Sequence, residues 1–461
     1  MRFLLLLAAT FLVVTGINAQ QKFPAVLKGH ALLADSFRVD VPADAPEFFQ
    51  TAGKYTGSGK KRMDKIGGLP AVFDTNADPS TPRPVNVSLP IKGQSVQGMS
   101  GVRYLGNGMF ALITDNGYGS KFNSPDAILM VHVIQYDWAT GGANYIRTIF
   151  LSDPNKKLPF QIVAETTKTR YLSGADLDIE SINFIGDTMW IGEEFGPYLL
   201  EFDWDGKLLN FYENAVPGIG SAKAPENYNI FPLPTNGQPG AVTFEVRRSR
   251  GFESSASTID GKFIYALFEG PLWNATNSTY EQKDGVFFNR MIKFNVTSRN
   301  WTGEQWFYPL ENAANVLGDM AMIDDTSAIV IERDDTTEGD PDFGCKAGQN
   351  NTGTYCFARP AAFKRVYKIV IGEPGTYVKK VGYIDLIDID DPNGVAKIGK
   401  KSNGKFVMPH QNPEGVCIVD KTTIAVVNDN NYPGNAGRTL AGKPDDNEIA
   451  WLSVPEFLAA V

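Results

Sequence analysis

Five stretches of this 461-residue chain pair a polar residue at the start of one apolar run with an acid at the end of the next. The pairs are Gln97 with Asp115, Glu180 with Glu194, Glu253 with Glu269, Asp319 with Glu332, and Glu414 with Asp429, spaced 13 to 18 residues apart. If these are copies of one unit set around an axis, their carboxylates converge. Crowded carboxylates repel one another and raise each other's pKa unless a cation sits among them. Hard oxygen ligands of flexible geometry favour Ca²⁺, with Mg²⁺ or Mn²⁺ as alternatives. The expected metal ligands are Asp115, Glu180, Glu194, Glu253, Glu269, Glu332, Glu414 and Asp429.

Basic residues stand beside these acids. Arg250 precedes Gly251-Phe252-Glu253, Arg333 follows Glu332, and Arg438 comes just after the run DNNYPGNAG. Guanidinium groups bind phosphate or carboxylate bidentately, so Arg250, Arg333 and Arg438 are the expected substrate-binding residues. A metal beside them would polarise a phosphoryl oxygen and activate water. Glu194, Glu332 and Arg333 are the expected catalytic residues. The competing reading makes each acid a turn cap, or half of an Arg–Glu pair that ties the fold together.

The elements that must position these groups are strands. In Gly174–Asn210, the runs ESINFI, TMWIGEE, YLLEFD and KLLNFY are separated by turn chemistry at Gly186-Asp187, Gly196-Pro197 and Asp205-Gly206. Acids mark its strand ends, with Glu180 and Glu194 recurring in kind elsewhere and Asp176, Asp178 and Glu193 having weaker counterparts. Further strand pairs lie between the copies, such as MVHVIQYDW with NYIRTIF and RVYKIVI with KKVGYIDL. Each period therefore holds about four strands, the content of a propeller blade. The expected fold is all-β: a single β-propeller of four-stranded antiparallel blades with long loop insertions. Six blades are favoured, with five or seven open, and the amino-terminal strands either complete a blade or form a sixth.

Residues 1–20 read as a secretory signal peptide, with Arg2, an apolar core Phe3–Val14 and small residues before Gln20. Residues 21–95 read as strands and a long irregular loop packed on the propeller, and 96–461 as the propeller itself. Cys345 and Cys356 flank a short loop and fit a local disulfide in an oxidising compartment, while Cys417 fits a buried strand thiol. Sequons at Asn86, Asn274, Asn277, Asn295, Asn300 and Asn350 are compatible with a secreted glycoprotein. A net charge of −9 argues against nucleic acid or an anionic membrane as partner. The expected partner is a small phosphoester or other anionic ligand, bound by a monomer. Three histidines, no GxSxG and no HExxH argue against a serine hydrolase of the α/β design and against zinc.

The stretches ADLDIESINFIGDTMWIGEEFGPYLLEFDWDGKLL, RSRGFESSASTIDGKFIYALFEGPL, GDMAMIDDTSAIVIERDD and PEGVCIVDKTTIAVVNDNNYPG resemble, in order, the phytase-like domain family. This is the "esterase-like activity of phytase" group of secreted or periplasmic proteins. The resemblance covers roughly residues 95–440. It implies a propeller fold, secretion and, through the β-propeller phytases, a calcium-dependent phosphomonoesterase chemistry. Two functions are expected from it: a metal-dependent hydrolase of phosphoesters or other esters at the channel mouth, or a non-catalytic glycoprotein using the propeller as a binding platform.

Overall fold

A computed structural model describes residues 20–69, 73–74, 83–230, 243–349 and 356–461. The signal-peptide reading and Asn350 lie outside the described residues.

Apolar and polar residues alternate along the strands and turns punctuate them, so each repeat closes into a four-stranded antiparallel sheet. Blade 1 runs β2 Met99–Gly106, β3 Met109–Thr114, β4 Met130–Asp137 and β5 Gly142–Phe150, with β1 being Val26–Leu33. Blade 2 is β6 Ile179–Ile185, β7 Thr188–Glu193, β8 Tyr198–Asp203 and β9 Leu208–Glu213. Blade 3 is β10 Ser254–Ser257, β11 Phe263–Leu267, β12 Val286–Asn295 and β13 Asn300–Pro309. Blade 4 is β14 Asn315–Met322, β15 Ser327–Asp334, β16 Lys364–Val370 and β17 Lys379–Asp385. Blade 5 is β18 Asn412–Asp420, β19 Thr423–Asp429 and β20 Asn447–Ser453, completed by β1, whose Val26 to Leu33 pair antiparallel with Ser453 to Asn447.

The innermost strands β2, β6, β10, β14 and β18 touch in that order, and β18 closes on β2. The propeller therefore has five blades, the low end of the expected range. The amino-terminal strand that could have begun a sixth blade is the outer strand of the fifth. Pairing the two chain ends in one sheet fastens the ring without leaving an open edge there.

Buried apolar side chains fill each gap between blades. Ile329 and Val366 meet Val416 and Ile424 between blades 4 and 5, and Ile113 and Val131 meet Ile182 and Ile191 between blades 1 and 2. Leu267 and Met291 meet Val330 and Tyr367 between blades 3 and 4, and Val102 and Leu112 meet Val427 and Ile449 between blades 5 and 1. Trp190 and Leu199 meet Ile264 and Phe294 between blades 2 and 3.

The described residues of segment 34–95 form short two-stranded ladders and loops, such as Thr51–Ala52 with Ile91–Lys92. It is tied to the propeller by Lys54 bonding Asp126 and Arg83 donating to Thr439 O. Cys345 and Cys356 form the expected disulfide, and Cys417 is a buried free thiol. No helix among the described residues is long and apolar enough to cross a membrane.

Candidate metal and active site

Register places the acids. Across the first two strands of each blade, Met99 opposes Thr114, Ile179 opposes Glu193, Leu317 opposes Glu332, and Pro413 opposes Asn428. In these four blades the next residue of the inner strand falls in a β-bulge, which turns its side chain off the ladder. Those residues are Ser100, Glu180, Gly318 and Glu414, and Glu253 holds the same place just before β10. The matching residues at the ends of the second strands are Asp115, Glu194, Glu269, Arg333 and Asp429. Inner strands can approach this closely because small residues follow: a Cβ on Gly415 would sit 3.1 Å from Ser100 O, and one on Gly101 would sit 2.8 Å from Glu180 O.

All of these positions except Ser100 and Gly318 line a cavity of about 320 Å³ on one face of the propeller. Its wall carries Asp115, Asp178, Glu180, Glu194, Glu253, Glu269, Asp335, Glu414 and Asp429 against the two guanidiniums of Arg250 and Arg333. Seven of the eight expected metal ligands are therefore together. Glu332 is not among them. It is the register counterpart of Glu193, not of Glu194, and its neighbour Arg333 takes the axis-facing place because successive strand residues point to opposite faces. Glu332 lies inside blade 4, bonded to Lys380 Nζ at 2.6 Å and accepting from Asn315 Nδ2 at 2.8 Å and Tyr308 OH at 3.1 Å. Its expected catalytic and metal-binding roles are thereby corrected.

Arg438 is also outside the cavity. Its Nε donates to Glu448 Oε1 at 2.6 Å, the same carboxylate hydrogen-bonds His30 Nε2 at 3.0 Å, and His410 Nε2 lies 3.2 Å from it as an ion pair. His410 Nδ1 in turn meets Asp445 at 2.7 Å. Burial disfavours a charged His410, but Glu448 and Asp445 outweigh it and lift its pKa to about 9. This buried network ties the loop after β19 to blade 5.

Three sets of carboxylates can each offer oxygens within 4.8 Å of one another: Asp178, Glu180 and Glu194; Glu180, Glu253 and Glu414; Glu194, Glu253 and Glu269. Burial, and then mutual repulsion, raises Glu180, Glu194, Glu253 and Asp115 well above the carboxylate range. Burial likewise lifts Glu414 to about 8, Glu269 to about 7 and Asp429 to about 6. Glu194 Oε1 and Glu253 Oε1 are buried with no hydrogen-bond partner among the described residues. Unpartnered buried carboxylate oxygens among like charges are what a hard divalent cation would satisfy, so the donor set fits Ca²⁺, Mg²⁺ or Mn²⁺.

Asp178 and Asp335 join the site beyond the expected set. Asp178 accepts from the Asn116 side chain at 2.9 Å, and lies in the run Asp176–Glu180, where alternation alone does not choose which acid faces the axis. Asp335 accepts from Arg333 Nη1 at 2.9 Å and also bonds Arg250. Arg250 Nη1 bonds Glu269 at 2.5 Å, and Arg333 Nη2 bonds Glu414 at 2.5 Å and Glu269 at 3.3 Å. Of the described sequons, Asn274, Asn277 and Asn300 are exposed, Asn295 is half-buried, and exposed Asn86 donates to Gly442 O at 2.7 Å.

A family described as "Phytase-like: Esterase-like activity of phytase" matches residues 94–432. No curated protein matches the chain significantly. Among solved structures, a luciferin-regenerating enzyme is 9% identical, covering 80% of each chain with a TM-score of 0.33. A putative 6-phosphogluconolactonase from Bacteroides uniformis is 12% identical, covering 86% of this chain and 94% of its own, with a TM-score of 0.29. The β-propeller domain of Cps50 (Swd1) from Myceliophteria thermophila is 10% identical, covering 79% and 98%, with a TM-score of 0.30.

Proposed function

The chain belongs to the phytase-like family, and we propose that it is a secreted, divalent-cation-dependent hydrolase of phosphoesters or related esters that works in the five-blade basin. The observation that carries the reading is the pair of buried, unpartnered oxygens on Glu194 and Glu253 within a wall of nine carboxylates. Ca²⁺ is the favoured ion, with Mg²⁺ or Mn²⁺ as alternatives.

Asp178, Glu180, Glu194 and Glu253 would hold the ion, with Asp115, Glu269, Glu414 and Asp429 completing the negative wall. Bound there, a divalent cation polarises an ester oxygen and lowers the pKa of a water. Glu194 would give the ion its buried Oε1, and its second carboxylate oxygen, in the same cavity, would take the water's proton. Arg250 and Arg333 hold the anionic group of a small substrate, since each presents Nη groups to the same cavity.

The disulfide and the exposed sequons Asn86, Asn274, Asn277 and Asn300 support a secreted glycoprotein, and the proposal extends to glycans at Asn295 and Asn350 and to a monomer. The test is turnover of a panel of phosphomonoesters and carboxylic esters by purified protein, with Ca²⁺ and with EDTA. Metal-dependent turnover lost in Glu194→Gln supports the reading. Absence of turnover on every substrate, with Ca²⁺ still raising the melting temperature, replaces the hydrolase by a cation-loaded binding platform.

A further inference from the structure

The two cavity arginines are bridged twice. Glu269 joins them from below: its Oε2 takes Arg250 Nη1 at 2.5 Å and its Oε1 takes Arg333 Nη2 at 3.3 Å. Asp335 joins them from the mouth, one oxygen taking Arg333 Nη1 at 2.9 Å and the other bonding Arg250 Nη2. The bridges differ in access. The Glu269 side chain is 2% exposed and the Asp335 side chain is 28% exposed.

The backbone that carries Asp335 is fixed independently of its side chain. Asp334 accepts from Thr337 N at 2.8 Å, Lys364 Nζ donates to Asp334 O at 2.8 Å, and Gln411 Nε2 donates to Asp335 O at 3.0 Å. A χ1 rotation therefore swings the carboxylate out to water without moving the loop. Arg333 Nε is buried and has no hydrogen-bond partner among the described residues, so this guanidinium has donor capacity its carboxylates leave unused.

We propose that Asp335 is an internal stand-in for the substrate's anion: a phosphomonoester displaces it from between Arg250 and Arg333, with Glu269 still bridging the two guanidiniums. This rests on the hydrolase reading for the identity of the ligand. A tetrahedral dianion suits the place better than a carboxylate. It can accept from one Nη of each arginine and still turn a third oxygen towards Glu194 and Glu253, where the cation would sit. An internal competitor weakens the apparent affinity by the fraction of time it occupies the site. Asp335 thereby sets a threshold that weakly charged esters do not pass.

Inorganic phosphate is the probe, titrated calorimetrically into the Ca²⁺-loaded full chain at 0.5 M KCl, where charge effects from beyond the site are screened. Asp335→Asn and Asp335→Ala should each tighten phosphate binding about tenfold, and Arg333→Gln should abolish it. Two independent Asp335 variants guard against one that folds poorly. Unchanged or weaker phosphate binding in folded Asp335→Asn overturns the proposal, even if wild-type turnover upholds the hydrolase reading. Tightened phosphate binding without turnover on any ester upholds the stand-in and removes the hydrolase.

Discussion

Arg103 Nη1 donates to Asp319 Oδ2 at 2.5 Å on the propeller axis, and the same guanidinium reaches every innermost strand. It donates to Val102 O on β2, Asn183 Oδ1 on β6, Ser255 O on β10, Met320 O on β14 and Val416 O on β18. These partners lie two or three residues further along the strands than Ser100, Glu180, Glu253, Gly318 and Glu414. Arg103 thus forms a floor beneath the acidic basin, leaving the opposite mouth as the route to it. Removing one partner of a buried pair strands the other charge, so Arg103→Ala should cost about 3–5 kcal/mol in urea unfolding. The double variant Arg103→Met/Asp319→Leu should recover most of that loss.

Glu332→Gln separates the two neighbours that sequence alone confuses. Glu332 neutralises Lys380 inside blade 4 and does not line the basin, so the variant should lower stability by about 1–3 kcal/mol while leaving Ca²⁺ affinity unchanged. Calorimetric titration and thermal melting of the same sample check both halves.

Without a cation, stability should fall as pH rises. Glu414 at about 8, Glu269 at about 7 and Asp429 at about 6 all sit above their unfolded values. Their protons bind more tightly in the native state, so the contribution is full below about pH 4 and is lost as pH climbs through 6 to 8. Melting curves in EDTA should therefore drop across pH 5–8, and saturating Ca²⁺ should flatten them.

A second, cation-independent slope comes from His410. Its pKa of about 9 lies above the ordinary histidine value, so its stabilisation is complete below about pH 6.5 and fades as pH passes 9. The full span is about 3 kcal/mol. In Ca²⁺-saturated protein, His410→Gln should remove the pH 6.5–9 slope in urea unfolding, whatever it does to the baseline stability.

The repeat of acids at strand ends made most of the basin legible from residue order. Glu180 and Glu194, Glu253 and Glu269, and Glu414 and Asp429 occupy equivalent places because strand–turn–strand spacing is nearly constant. The pattern broke at blade 4 because Gly318 and Arg333 occupy the places that Glu180 and Glu194 hold in blade 2, while Asp319 and Glu332, each one residue off, turn to Arg103 and Lys380. Spacing cannot report a one-residue offset. Arg438 looked like a rim residue by its place in the chain, but its partner Glu448 belongs to β20, a contact no local pattern contains. Blade number was likewise a long-range fact: Val26–Leu33 reads as a strand, and only its pairing with Asn447–Ser453 shows that it completes the fifth blade.

Calcium titration of the metal-free protein, beside Glu253→Gln and the double variant Glu180→Gln/Glu253→Gln, tests the central claim most directly. The wild type should bind Ca²⁺ saturably with a dissociation constant in the range of about 10⁻⁷–10⁻⁴ M. Glu253→Gln should weaken binding at least about tenfold, and the double variant should abolish it. A folded wild type that shows no saturable binding of Ca²⁺, Mg²⁺ or Mn²⁺, or variants that bind as the wild type does, would contradict a cation centre in the five-blade basin.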